Sequence, residues 1–396
     1  MFIHLKEIKS SILYPILVGL IFVACSNNEY QEILEQGIEN GYPGIIVGIQ
    51  HDNKTWTGGE GLANIEEQIP MNAHDRFHIA SVTKLFTSVA VLKLIDENKL
   101  SLQSSVDTLL ANSLIGEIPN IHDIKVHHLL DHSSGIYSFN NDPRYFNTYF
   151  GSNTLEDTSW TPEQLVALAY TNEAEPQGKP GSEHYYSDTN TILLSLIIEQ
   201  ISGNSFRRHI KNSILDPLEL NNTGYYSPTT NTSSIEVSPT VQGYLKESEI
   251  IKSLVDLSQN FERVSDSLYN TTEAVEQIDA SAGMVSTVAD LLKFGEAVYL
   301  DDFLSEESKN WLISIGNGIE NDEPETVRQG IVTVHNKPYG VLYTSLGDGP
   351  GGINSMLAFH PKSDIIVFAF TNVFGNFNEH DFFLDELMPS VISNTK

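Results

Sequence analysis

The chain has 396 residues, room for two or three compact units at ~150 residues each, and it can bury a core without disulfide or metal staples. With 40% apolar and only 19% charged residues it is neither a disordered nor a fibrous chain. Its 52 acids against 22 Lys+Arg give a net charge of -30, which excludes nucleic acid and argues against a polybasic membrane surface, while the single cysteine excludes a disulfide framework and a four-cysteine zinc site.

The amino terminus reads as a leader. Lys6 and Lys9 accompany one acid, Glu7, and residues 11–24 form an apolar run of about a signal-peptide core's length. That run is shorter than the ~20 residues of a spanning helix and contains Pro15 and Gly19. It ends at Phe22-Val23-Ala24-Cys25, which resembles a bacterial lipoprotein cleavage site, with Phe22 where Leu is more usual. The resemblance implies removal of residues 1–24, lipid on Cys25 and an exported body anchored to a membrane of the bacterial cell envelope. The plainer reading is an uncleaved anchor helix with a buried cysteine. Residues 25–39 are expected as a polar tether, and the acidity belongs to the body that follows.

Gly44–Ile49 reads as a buried strand and Asp52-Asn53-Lys54 as a turn into a second strand near Thr55–Gly58. Ser81–Asn98 is helical: Val82, Leu85, Phe86, Val89 and Leu92 keep helical spacing, and the helix is apolar nearly all round, hence buried on most sides. Residues 100–275 read as helices and long loops. Thr161-Pro162-Glu163 opens one helix, with Thr as cap and Pro in the first turn. Residues 189–202 form another, stopped at Gly203. Residues 227–240 look like a polar loop, and residues 279–300 a turn and a helix. Strand-like runs follow at Ile331–Val334, Met356–Phe359 and Ile365–Phe370, then a last helix near 378–392. Strands at both ends with helices between predict an α+β fold: an antiparallel sheet flanked by helices (residues 40–99 and 276–396) with an inserted, mostly helical subdomain over 100–275.

The chemistry centres on Ser81-Val82-Thr83-Lys84. Positions three apart share a helical face, so the hydroxyl and the amine can meet. A serine needs a neighbour to accept its proton, and a lysine in a desolvated site can be that neighbour. A first-turn position adds free backbone N–H groups that favour negative charge on a substrate oxygen. Alone, this four-residue pattern arises often by chance.

Three further segments give it context. The surrounding Phe77–Leu102, followed by Val126–Ile136 (VHHLLDHSSGI), Tyr185–Gly203 (YYSDTNTILLSLIIEQISG) and Ala280–Phe294 (ASAGMVSTVADLLKF), makes four segments that resemble, in order, the motifs of the serine β-lactamase/penicillin-binding-like hydrolases. The match is strongest to their class C β-lactamase, D-alanyl-D-alanine carboxypeptidase and esterase branch, and spans roughly residues 40–375. The resemblance implies a β-lactamase/DD-peptidase-like fold, no cofactor, a small-molecule or peptide substrate and no protein partner. It implies Ser81 as the acylated nucleophile, Lys84 as its proton partner and Tyr186 as general base and acid. Lys84 and Tyr186 both stay open as the formal base.

Two departures bear on substrate. Asp188 stands where the family has Asn; it offers only acceptors, so it should hold Lys84 more firmly protonated, favour the tyrosine as base and lose a donor to substrate. The third motif, a Lys/His-Thr/Ser-Gly triplet, reads either Leu346-Gly347-Asp348 or Asp348-Gly349-Pro350, with no cation. Asp348 in that place argues against an anionic substrate. Asp188, Asp348 and Gly349 are therefore expected at the substrate and oxyanion side, Gly349 through its backbone N–H. An esterase or D-specific peptidase ranks above a β-lactamase or D-alanyl-D-alanine carboxypeptidase, and an idle surface-binding lipoprotein is the rival of another class.

Other signals have plainer readings. Gly347–Gly352 spells G-x-G-x-x-G, but a strand rather than a helix follows. No G-x-S-x-G is present. His122, His127, His128 and His132 could suggest a metal, yet the family turn accounts for them, so no metal is expected. Glu183 and His184 precede Tyr186 at the cleft or on a surface loop, and residues 321–325 read as a solvated acidic loop.

Overall fold

The computed structural model describes residues 30–145, 160–170, 176–226, 237–248, 251–252, 256–272, 280–313, 325–328, 332–375 and 382–394. The leader, Cys25, most of the polar loop at 227–240 and most of the acidic run at 321–325 lie outside them.

The main sheet has eight strands: β1 (Gly44–His51), β2 (Lys54–Asn64), β3 (Ile69–Pro70), β4 (Glu325–Arg328), β5 (Val332–Lys337), β6 (Gly340–Gly349), β7 (Ile353–His360) and β8 (Ile365–Thr371). Their order is β4-β5-β6-β7-β8-β1-β2-β3, and every pair is antiparallel. The two ends of the chain meet at β1 and β8, where Val47 faces Ala369.

Both faces of this sheet are covered, which is why β1, β7 and β8 read as continuous apolar runs. Alternate residues divide between two cores. Ile46, Leu357, Phe359, Ile366, Phe368 and Phe370 join the larger core, with helices α2 (Thr83–Asp96), α4 (Asp188–Ser202) and α5 (Val288–Tyr299). Ile45, Val47, Met356, Ala358, Val367 and Ala369 join the other, with the last helix, Met388–Asn394. Residues 30–39, expected in the tether, instead form helix α1, whose Tyr30 and Leu34 are buried in that second core. Four apolar residues among six polar or small ones disguise it as a tether in sequence.

Two helices expected between residues 160 and 203 are present. α3 (Pro162–Leu168) starts at Thr161, whose side chain and that of Gln164 cap each other's backbone. α4 ends at Gly203 with φ +68, a left-handed position that a glycine takes at no steric cost. The region also holds strands too short to show alternation. Tyr244–Lys246, Leu268–Asn270 and Glu262–Ser265 form a small sheet joined in parallel by Val373–Phe374, and Gly224–Tyr225 pairs with Met284–Ser286. Gly243 packs so closely on the β6–β7 turn that a Cβ there would lie 1.7 Å from Gly351 O. The chain at Gly243 thus abuts the β6–β7 hairpin.

Candidate active site

Ser81 sits in a 3-10 turn, Ala80–Val82, that leads into α2. Ala80 has φ +44, an unfavourable value for a residue with a Cβ. The turn is held from below: Ser355 Oγ donates to Ile79 O at 3.0 Å, and Ile79 N donates to Met284 O at 3.1 Å. Buried threonines do the same for α2. Thr87 Oγ1 donates to Ala280 O at 2.7 Å, and Met284 N donates to Thr83 Oγ1 at 3.3 Å. These polar groups explain how an all-round apolar helix still has a fixed register against residues 280–284.

Lys84 lies one turn on and is 1% exposed. Its Nζ donates to Ser81 Oγ at 2.8 Å and to Ser281 O at 3.1 Å, and stands 2.7 Å from Asp188 Oδ1. Tyr186 Oη is 3.2 Å from Ser81 Oγ, and Lys84 Nζ is 5.3 Å from the Tyr186 ring centre. Desolvation pushes the Tyr186 hydroxyl up to about 12, with Lys84 opposing and Asp188 adding to the rise. Because the residue is 41% open to solvent, water tempers that rise.

Asp188, at the start of α4, holds Lys84 as expected but does not reach the substrate side. It is 4% exposed, and both carboxylate oxygens are engaged within the protein. Oδ1 accepts from Lys84 and, at 2.6 Å, from Ser281 Oγ; Oδ2 accepts from Asn140 Nδ2 at 2.6 Å and Ser138 Oγ at 3.4 Å. Burial alone would raise its pKa, but the Lys84 charge and the bonds from Lys84 and Ser281 outweigh it and hold the carboxyl below its usual range. Its geometry is that of a lysine holder, not of a substrate ligand.

The third segment also differs from expectation. In the β6–β7 register Leu346 pairs with Met356 and Gly347 with Ser355. Side chains alternate along a strand, so Leu346 and Asp348 lie on the face away from Ser81, whereas Gly347 and Gly349 share the near face. Leu346 accordingly packs in the second core, and Asp348 is exposed. Gly347 is the residue at the nucleophile: a Cβ on it would be 3.1 Å from Ser81 N. Gly349 closes β6, with open space where its Cβ would be.

His132 packs its ring 4.5 Å from that of Tyr186 and is fully buried. Asn190 Nδ2 and Ser187 N both donate to its Nδ1, at 2.9 and 3.2 Å, so the ring proton is on Nε2. Burial pushes its pKa down to about 3. The other histidines disperse. His122 meets Asp107 at 2.6 Å, His127 meets Asp131 at 3.4 Å, and His128 Nδ1 accepts from Lys125 N at 3.1 Å. Among the described residues no three His, Cys, Asp or Glu side chains converge on a metal position. Glu183 and His184 are exposed, with the His184 ring 6.1 Å from that of His132.

The sequence thus named Ser81, Lys84, Tyr186 and Asp188, which the structure brings together, and Asp348, which it does not. It missed Asn140, Ser281 and Gly347 as parts of the site. Only Gly347 carried a signal, since a glycine within a strand marks close backbone approach.

The family model described as Beta-lactamase matches residues 30–386. The chain belongs to the Beta-lactamase family. Relatives within this serine hydrolase family include penicillin-binding protein 4* of Bacillus subtilis (strain 168), 25% identical over 327 residues covering 82% of this chain and 66% of that protein. The chain spans 38% to 46% of other curated relatives. Among solved structures, the D-amino acid amidase of Ochrobactrum anthropi SV3, complexed with L-phenylalanine, superposes with TM-score 0.75 at 21% identity, covering 93% of this chain and 98% of that one. The D-stereospecific amidohydrolase of Streptomyces sp. superposes with TM-score 0.72 at 25% identity, covering 92% and 99%. The expected Beta-lactamase-family fold, antiparallel sheet and flanking helices, is therefore found.

Proposed function

We propose that this Beta-lactamase-family protein is an exported serine hydrolase that cleaves esters or amides, D-amino-acid peptides and amides included, through an acyl-enzyme on Ser81. One observation carries the reading: Ser81 Oγ lies 2.8 Å from Lys84 Nζ and 3.2 Å from Tyr186 Oη in the turn that opens a buried helix. Ser81 Oγ attacks the substrate carbonyl carbon as its proton leaves for a neighbouring base. The carbonyl oxygen takes the electron pair and is met by the Ser81 N–H, with the Gly349 N–H as candidate second donor. Collapse expels the alcohol or amine, which takes up the proton, and water then frees the acid from Ser81. No step calls for a cofactor.

The substrate class follows from what faces the nucleophile. Gly347 and Gly349 occupy the near face of β6, and Asp188 offers no free donor. Neither provides the cation or amide donor that a carboxylate-bearing substrate would use, which favours neutral or cationic substrates over β-lactams. The names of the amidase and amidohydrolase neighbours agree with this. The test is labelling of the mature protein with a fluorophosphonate and a fluorescent penicillin beside Ser81→Ala. Labelling by the fluorophosphonate alone, lost in the variant, is expected. Labelling by both overturns the substrate class, and labelling by neither in folded protein overturns the hydrolase reading.

The leader motif supports, as a further part of this proposal, a lipid-anchored protein of the bacterial cell envelope, attached through Cys25 and divided as expected between the 40–99 plus 276–396 portion and the 100–275 insert. A mature mass without lipid at Cys25 would overturn the anchor.

A further inference from the structure

We propose that Asp188 is a positioning residue that keeps Lys84 an ammonium throughout the working pH range, so that the Ser81 proton passes to Tyr186. This rests on the hydrolase reading above and specifies its proton path. The enclosure of the ion pair carries it. Lys84 Nζ has a carboxylate oxygen at 2.7 Å, a carbonyl oxygen at 3.1 Å and Ser81 Oγ at 2.8 Å, and it also hydrogen-bonds Tyr186. Acceptors on every side suit an ammonium, which only donates. Tyr186 Oη donates to Ser81 Oγ at 3.2 Å as a phenol, so as a phenolate it is the acceptor within reach of the Ser81 proton.

Asp188 is suited to fix this state because its own place is over-determined. Ser281 and Asn140 each donate to one of its oxygens at 2.6 Å, and Ser138 Oγ accepts from its backbone N–H at 3.0 Å. Ser281 also offers its carbonyl to Lys84, so the residue that orients the carboxylate orients the ammonium too. An Asn at 188 would accept from Lys84 without a charge to hold the proton there. The remaining ionisable groups around the pair do not compensate. His132, against Tyr186, is neutral, and beyond it lie Asp131 and His184.

The proton step then balances with Lys84 unchanged. Tyr186 as phenolate takes the Ser81 proton while the Oγ–carbon bond forms, and as phenol returns it to the leaving oxygen or nitrogen when the carbon–leaving-group bond breaks. Asp188 and desolvation both disfavour the phenolate, Lys84 favours it, and the balance lies on the high side. Acylation should therefore increase with pH through an alkaline limb.

The experiment has two readouts on full-length mature protein. The first is 15N NMR of the Lys84 ammonium between pH 6 and 11, in wild type and Asp188→Asn. Lys84 is expected to stay an ammonium beyond neutral pH in wild type and to titrate at least ~1 unit lower in the variant. The second is the rate of Ser81 labelling by a fluorophosphonate against pH, whose limb is expected above pH 8 in wild type and ~1 unit or more lower in Asp188→Asn. A neutral Lys84 near pH 7, or a limb unmoved by the substitution, overturns the proposal. Should Asp188→Asn not fold, Ser281→Ala, which removes one donor to the carboxylate, is expected to move both readouts the same way by less, and no movement overturns the proposal. Failure to label at any pH with Lys84 an ammonium overturns the hydrolase reading instead.

Discussion

A Cβ on Gly347 would stand 3.1 Å from Ser81 N, 2.4 Å from Ile79 O and 2.6 Å from Ser355 Oγ. Strand β6 and the nucleophile turn are thus in backbone contact, and two of the three obstructing atoms belong to that turn. Gly349, two residues on, has nothing within 4 Å of its Cβ position. Gly347→Ala is expected to cost ~1–3 kcal/mol of stability by overpacking, and to lower Ser81 labelling by about a hundredfold through displacement of the nucleophile. Gly349→Ala should leave the melting temperature unchanged. Equal effects of the two substitutions would show that the contact at Gly347 is not what shapes the turn.

Tyr186→Phe removes one oxygen 3.2 Å from Ser81 Oγ and leaves the Lys84–Asp188 pair at 2.7 Å in place. Ester hydrolysis should fall about a hundredfold or more, the usual scale for losing a general acid–base group. Stability should hardly change, because the residue is already 41% exposed. Steady-state kinetics with a p-nitrophenyl ester, beside a thermal melt, separates the two effects.

Lys84 and Asp188 are 1% and 4% exposed. Lys84→Met leaves a carboxylate buried without its cation, and a loss of ~3–5 kcal/mol is expected. The double variant Lys84→Met/Asp188→Leu should recover most of it, since no charge is then stranded. The pH sign is fixed by the depressed Asp188 carboxyl. Its contribution is complete above the ordinary aspartate value of 3.8 and is lost as pH falls further, through the folded-state value. Denaturant titrations at pH 7 and pH 3 check both statements.

His78 and His132 are held neutral by burial, with values pushed down to about 4 and about 3. The unfolded chain binds protons near 6.5 that the folded chain refuses, so stability should fall as pH drops below 6.5. Each histidine contributes a slope of at most about 1.4 kcal/mol per pH unit. Neither ring nitrogen of His78 has a hydrogen bond among the described residues, and its ring packs edge-on to Tyr226 at 5.2 Å. His78→Phe should therefore fold and remove one proton's worth of the acid slope, which unfolding curves from pH 7 to pH 4.5 will report.

Legibility in the sequence tracked the range of the interaction. Ser81 and Lys84 are one helical turn apart, so their meeting is a local consequence of α2, and Gly203 and Thr161 mark helix ends by their own conformational preferences. Asn140 and Ser281 reach Asp188 from 48 and 93 residues away, and no periodicity records such a meeting. The helix at 30–39 was hidden because its buried residues are few and matter only once β1 and β8 provide a face to cover.

What the sequence determined by itself was the longer apolar strands and helices, the nucleophile with its lysine and tyrosine, and the exchange of Asn for Asp at 188. What the tertiary structure decided was the work these residues do. Strand register turned Asp348 away from Ser81 and put Gly347 against it, because side chains alternate along β6 and only one face looks at the nucleophile. Burial did the same for Asp188: enclosed by Lys84, Ser281, Asn140 and Ser138, its carboxylate has no oxygen left for substrate and acts on the lysine alone.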